Sequence, residues 1–161
     1  MIAIVMGVTG TGKTTVGKQL AAALNWGFSD ADSFHPKANL EKMSRGIPLD
    51  DADRQPWLQA LQQAIDCWLQ EDQNMVLACS ALKASYRQAL LRDSERMRLV
   101  YLKGSFELIA DRLSRRKNHF MNKDLLQSQF DALEEPTPES SIWVDISLPP
   151  EAIAQQIVNA L

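Results

Sequence analysis

Short apolar runs alternating with helical periodicity predict an α/β fold, a parallel sheet with helices on both faces. Three observations carry that prediction. Residues 2–6, 75–79, 99–103 and 142–146 are apolar without alternation, as strands buried on both faces are, and 26–29 is a shorter strand candidate. Each is followed by helical periodicity, the usual connection between parallel neighbours. The chain has 161 residues, 45% of them hydrophobic, enough for one core and too few to divide into two, so residues 1–161 are expected to form a single domain.

In chain order, glycines end the first strand after Met6, and a helix over 13–24 turns Val16, Leu20, Ala23 and Leu24 inward. The polar stretch after 26–29 carries turn signals at His35-Pro36, Gly46 and Pro48, and two helices interrupt it. The first is placed at 36–44, with Gly46 as its stop. The second runs over 51–69, with aspartates in its first turn, where a helix N-terminus favours negative charge. Further helices are predicted at 81–91, 106–116, 123–133 and 150–161. Residues 134–141, EEPTPESS, read as a surface connection before the last strand. Ligands in such folds gather at the carboxyl ends of the strands.

The loop after the first strand carries the chemistry. Gly7-Val8-Thr9-Gly10-Thr11-Gly12-Lys13-Thr14 fits G-x-x-x-x-G-K-[ST] at every fixed position, between a predicted strand and a predicted helix. Its glycines let the backbone turn at positive φ and aim successive N–H groups at phosphate oxygens, while the helix N-terminus adds partial positive charge. Gly7 through Gly12, together with Lys13, Thr14 and Thr15, therefore read as a cradle for a nucleoside triphosphate. Lys13 serves the β- and γ-phosphates and the Thr14 hydroxyl ligates Mg²⁺. The competing reading, an ordinary glycine-rich turn, requires the full match to be chance.

Composition removes other classes. The net charge is -3, from 17 basic and 20 acidic residues, so there is no basic surplus of the kind nucleic acid or an anionic membrane demands. The apolar run at 2–6 is too short for a signal segment or a membrane span, and nothing later reaches membrane length. Cys67 and Cys79 have no CxxC spacing and no histidine cluster, so a reducing compartment, the cytoplasm, is expected. A GTPase would carry N-K-x-D, and the sole Asn-Lys pair, Asn122-Lys123, stands in the wrong place and spacing. The chain is also too small for the extra elements of a motor ATPase. Trp57 and Trp68, on one predicted helix, read as core or dimer contacts rather than platforms for bases.

Asp30 and Asp32 lie just past the second strand, opposite the P-loop. A kinase acting on a hydroxyl needs one carboxylate to orient the nucleophile and take its proton, and another to hold the metal's water shell. Strand alternation would send both to one side. The plainer reading of either alone is a helix N-cap with a solvated neighbour.

The same region carries a family likeness. Asp30-Ala31-Asp32-Ser33-Phe34-His35-Pro36 with Asn39, Lys42-Met43, Gly46 and Pro48-Leu49, then Asp53-Arg54-Gln55-Pro56-Trp57-Leu58, resembles the gluconokinase family. So do Ala78-Cys79-Ser80-Ala81-Leu82-Lys83 with Tyr86-Arg87, Tyr101-Leu102-Lys103-Gly104, His119-Phe120-Met121, Leu126, Gln129-Phe130 and Leu133-Glu134-Glu135-Pro136. Shikimate and nucleotide kinases share the Gly-Lys-Thr loop but not these stretches. The resemblance implies a P-loop NTPase fold of the nucleoside-monophosphate-kinase type, with a five-stranded parallel sheet, an acceptor-binding region at about 32–60 and a mobile lid at about 117–124. It also implies ATP and Mg²⁺ as cofactors, and phosphorylation of D-gluconate at its C6 hydroxyl. Family members are often dimers, so a homodimer is an implied state. The chain departs from the family pattern at Asn118, where Gly is expected, and at Thr9 and Thr11, where Ser is common.

Gluconate is a polyhydroxylated monoanion and needs a cation and several hydrogen-bonding groups. Asp32 is assigned to orient or deprotonate its hydroxyl, and Asp30 joins Thr14 at the metal. Arg54 is assigned to the carboxylate, which its planar fork matches; alternatively it pairs with Asp50 or Asp51 near the start of its own helix. His35, held in a restricted backbone by Pro36, donates to a hydroxyl or serves as a structural hydrogen-bonder. Ser80, Lys83 and Arg87 follow the third strand and are expected near the transferred group, Lys83 first among them. Lys83 and Arg87 lie four apart on a predicted helix, so a merely solvated basic face is the alternative. Cys79 reads as core.

Within the basic run 112–117, Arg116 is assigned to the transferred phosphoryl group through lid closure and Arg112 to the nucleotide base or phosphates. Those two assignments are interchangeable, and cations that suit a helix C-terminus would explain the run without either. Two other functions stay open: a kinase of another small hydroxy acid such as shikimate, and a non-catalytic nucleotide-binding regulator. Intact Lys13, Thr14 and the aspartate pair argue against the regulator.

Overall fold

Strand β1 (Ile2–Met6) forms the middle of a wholly parallel sheet, flanked by β3 (Met75–Ala78) and β4 (Met97–Lys103), with β2 (Gly27–Asp30) and β5 (Ile142–Asp145) at the edges. The computed structural model describes residues 1–115 and 123–161. Between the strands run helices α1 (Lys13–Leu24), α2 (Lys37–Ser44), α3 (Asp51–Gln70), α4 (Ala84–Leu90), α5 (Phe106–Ser114), α6 (Lys123–Ala132) and α7 (Pro150–Ala160).

The unbroken apolar character of β1 follows from burial on two sides. Ile2, Ile4 and Met6 face a layer with Leu61 and Ile65 of α3 and Leu90 of α4. Val5 faces the opposite layer, with Val16 and Leu20 of α1, Ile109 of α5 and Ile157 of α7. Each such fully buried side chain contributes roughly 1.5–3 kcal/mol, so the sheet tolerates no polar residue on either face at its centre. Five strands in the order β2-β3-β1-β4-β5, among the described residues, match the sheet expected from the sequence.

Differences from the predicted elements have local causes. β2 runs to Asp30 and passes into a short 3₁₀ turn, Ala31–Phe34, because the Asp30 side chain accepts from the Asp32 N–H and caps that turn. β4 begins at Met97, two residues early, since Met97 pairs with Ile2 at the foot of the sheet. α4 starts at Ala84, not 81, because Ala81 has φ 45 and Lys83 is its extended N-cap.

Register places the site. Asp30 aligns with Ala78, and Ala78 aligns with Val5, so the chain leaves β1, β2 and β3 at one level. The P-loop, the two aspartates and Ser80 therefore emerge side by side at the carboxyl edge. Behind β2, a capping box between Asp50 and Asp53 starts α3, and Lys42 of α2 pairs with Asp53 at 2.8 Å. That pair binds α2 to α3 and frames the region after Asp32.

Candidate active site

A cavity of about 330 Å³ opens at the carboxyl edge, with Thr9, Gly10, Lys13 and Thr14 on one wall, Asp30 and Asp32 on another, and Cys79 and Ser80 on a third. Its phosphate-facing wall depends on backbone shape. Gly10 and Gly12 hold φ of 83 and 89, and Gly12 is the left-handed N-cap of α1. At Gly10 space is also short, since a Cβ there would meet Ile109 and Leu113 of α5 at 3.0 Å. Thr11 is buried, its hydroxyl donating to the Val8 carbonyl at 2.9 Å, and Lys13 Nζ donates to the same carbonyl at 3.1 Å. The Thr9 N–H donates to Gln129 Oε1 at 2.7 Å, which ties α6 to the phosphate loop.

Asp30 links the two walls. Its Oδ2 accepts from Thr14 Oγ1 at 3.1 Å and its Oδ1 from the Asp32 N–H at 2.9 Å. It is thus both the N-cap and the P-loop's neighbour. Asp32 reaches the same cavity from the 3₁₀ turn rather than from an extended strand. Although the residue keeps an open edge, desolvation of its carboxyl raises its pKa first, and the Asp30 charge adds to this. Lys13 and His35 oppose the shift without cancelling it. Trp57 anchors the turn from behind, donating its Nε1–H to the Ala31 carbonyl at 2.7 Å.

The region after Asp32 is a network of side chains. His35 stacks on Trp57 with ring centroids 4.6 Å apart and planes 8° from parallel. Asn39 Nδ2 lies 3.1 Å from His35 Nδ1 and 2.8 Å from the Asp53 carbonyl. Burial is the main cause that lowers the pKa of His35. Arg54 donates to Tyr86 Oη at 3.1 Å, with its guanidinium 5.6 Å from the centre of that ring, rather than pairing with Asp50 or Asp51. Tyr86 in turn donates to Asp51 in a short hydrogen bond.

Several sequence-predicted residues lie elsewhere. Ser80 lines the cavity, but Lys83 pairs with Asp51 at 2.9 Å, alongside Tyr86. Arg87 does not form the solvated basic face that its spacing from Lys83 allowed. It is buried, and its guanidinium donates to the carbonyls of Ala81 at 2.8 Å, Leu82 at 3.1 Å and Glu134 at 2.7 Å. It holds the left-handed Ala81 turn in place beside Ser80. Cys79 is core as expected, its thiol pushed up to about 12 by desolvation, which removes any thiolate at neutral pH. Arg112 is half-buried and donates to the Ile146 carbonyl in a short hydrogen bond. Arg116 and the lid expected at about 117–124 lie outside the described residues, apart from Lys123 and Asp124 at the start of α6.

The positioning residues Trp57, Asn39, Tyr86 and Gln129 received no site role from the sequence. All four stood within the family-like stretches, and that was the available signal. No described helix is long and apolar enough to cross a membrane.

The shikimate kinase family model matches residues 9–161. A gluconokinase from Gluconobacter oxydans is 45% identical over 161 residues, covering 97% of this chain and 88% of that protein. A probable gluconokinase from Xenopus tropicalis is 44% identical, covering 98% of this chain and 91% of that protein. The crystal structure of a gluconokinase from Sinorhizobium meliloti superposes with a TM-score of 0.88 at 40% identity, covering 98% of this chain and 89% of that one.

Proposed function

This chain belongs to the gluconokinase family, within the shikimate-kinase-like P-loop kinases, and from that premise we propose that it transfers the γ-phosphoryl group of ATP to the C6 hydroxyl of D-gluconate. The observation that carries the reading is one cavity shared by a complete P-loop and the Asp30/Asp32 pair, with Asp30 bridging Thr14 to the Asp32 turn. The loop amides and Lys13 receive the phosphates. Thr14 Oγ1 and Asp30 Oδ2 are hard oxygen donors 3.1 Å apart at the cavity wall, a set that fits Mg²⁺. When bound, that ion neutralises phosphate charge. Asp32 orients the acceptor hydroxyl and takes its proton, and its raised pKa brings its basicity closer to that of the late-departing proton.

Arg54 and His35 are assigned to the acceptor, Arg54 to its carboxylate. Arg116 is assigned to the transferred phosphoryl group from its place in the chain alone, and Arg112 to the nucleotide. Residues 1–161 form, in this reading, one kinase domain, with acceptor contacts from about 32–60 and a lid at about 117–124. Its two free cysteines suit a reducing compartment, the cytoplasm.

The test is ADP release with Mg-ATP in the presence of gluconate, shikimate, related sugar acids or no acceptor. Turnover confined to gluconate supports the reading, and formation of 6-phosphogluconate fixes the C6 position. Turnover on shikimate alone would keep the kinase and overturn the acceptor, and ATP binding without any turnover would favour the regulator.

A further inference from the structure

Asn39 lies between the ring of His35 and the main chain of α3. Only 2% of Asn39 is exposed, and its side-chain Nδ2 lies 2.8 Å from the Asp53 main-chain carbonyl and 3.1 Å from His35 Nδ1. A carbonyl oxygen can only accept, so the end of the amide facing Asp53 is the NH₂. An amide nitrogen offers no acceptor, so its second hydrogen is left for Nδ1, and Nδ1 must accept it. A neutral imidazole that accepts at one nitrogen carries its proton on the other.

We propose that Asn39 is a positioning residue that holds His35 as the neutral Nε2–H tautomer, so that His35 meets the acceptor as a hydrogen-bond donor and not as a base. The identity of the acceptor rests on the gluconokinase reading, whereas the placement of the proton does not.

The surroundings leave the ring little freedom to escape this arrangement. One face is stacked on Trp57, and Trp57 is itself pinned to the Ala31 carbonyl. The Asp53 carbonyl that fixes the amide belongs to the first turn of α3, where the capping box with Asp50 and the Lys42 ion pair hold the main chain. Turning Asn39 over would set two carbonyl oxygens against each other. Protonating Nδ1 would set one N–H against another at a partly buried site. Two charges bear directly on the ring: Asp32, which favours the imidazolium, and Arg54, which opposes it together with burial. The Lys42–Asp53 pair lies behind Asn39. With Nε2 already protonated, Asp32 is the group left to accept the hydroxyl proton.

The chain contains two histidines, His35 and His119, so nitrogen NMR of the full-length, ¹⁵N-histidine-labelled protein resolves the question, with His35→Gln identifying the signals. The expected result is an unprotonated Nδ1 and a protonated Nε2 through the neutral pH range. In Asn39→Asp, the new carboxylate accepts from Nδ1, so the proton should move to Nδ1 or the ring should become imidazolium. Where the proton moves to Nδ1, KM for gluconate should rise about tenfold, the loss of one hydrogen bond, with a smaller change in kcat, whereas an imidazolium keeps its Nε2–H and leaves KM near wild type. A protonated Nδ1 in the wild-type protein, or an unchanged tautomer in folded Asn39→Asp, would overturn the proposal. Should Asn39→Asp fail to fold, the wild-type spectrum alone decides. Absence of gluconate turnover with the expected spectrum would sink the acceptor and keep the tautomer.

Discussion

The loop wall of the cavity is shaped by backbone, and the region after Asp32, proposed to meet the acceptor, is held by side chains. At the first, left-handed Gly10 and Gly12 shape a loop that offers amides and one lysine, all within nine residues of chain. At the second, His35, Asn39, Trp57 and Arg54 each depend on a partner from another element, reaching as far as Tyr86 on α4. A backbone device is indifferent to most side chains and strict about glycine. A side-chain network is the reverse, so the two ends should fail differently when altered.

Asp32, where the two ends meet, should give the largest effect. Asp32→Asn is expected to lower kcat by about 10²–10⁴, the usual contribution of a positioned base, while ATP affinity measured by calorimetry stays near wild type. Its stability should move the other way. A carboxyl whose folded pKa is raised above the unfolded value stabilises the fold most at low pH, and that advantage is lost as pH rises through the folded pKa. At neutral pH the ionised group therefore costs stability, and Asn removes the cost, so Tm should rise. A lower Tm with undiminished kcat would show that Asp32 is only a cap-like surface residue.

Arg87 comes next and tests the network side. Arg87→Met strips the buried Ala81 carbonyl and the part-buried Glu134 carbonyl of the guanidinium, while the Leu82 carbonyl keeps the Glu134 N–H, and should cost about 2–3 kcal/mol in urea unfolding. Release of the Ala81 turn should also raise KM for the acceptor through displaced Ser80. A change in KM with no loss of stability would instead mean that Arg87 touches substrate directly. Gly10→Ala tests the backbone side. The positive φ and the 3.0 Å approach to α5 should together cost about 1–2 kcal/mol, and ATP affinity should suffer more than gluconate affinity. Equal loss for both ligands would erase the distinction between the two ends.

The same distinction explains what the sequence could reveal. The P-loop was legible because its physics is local: the glycines, Lys13 and Thr14 must stand at fixed spacings. The strands were legible because burial on both faces leaves continuous apolar runs. The packing of Arg87 was not legible because its partners are main-chain carbonyls, one of them on Glu134, and no residue type advertises a carbonyl. Arg54 was expected to meet a carboxylate or a nearby aspartate, yet its partner is a tyrosine thirty-two residues away. The 3₁₀ turn was hidden since Asp30 reads equally as strand end and cap, and it is both.

The smallest effect separates the causes acting on Asp32 and needs only a pH profile. kcat/KM reports the free enzyme, so its acid limb should follow the ionisation of Asp32 and lie above the ordinary carboxylate range, activity falling as the base is protonated. Replacing Asp30 by Asn removes the like charge while leaving an oxygen able to accept from the Asp32 N–H. The limb should then move to lower pH, without returning to the ordinary range, because desolvation is the larger cause and survives the change. The plateau will drop as Thr14 loses its charged partner, but the midpoint of the limb is independent of plateau height. A limb that moves to higher pH would show that Asp30 acts on Asp32 through geometry rather than charge, and would make the junction between the two ends a matter of hydrogen bonding alone.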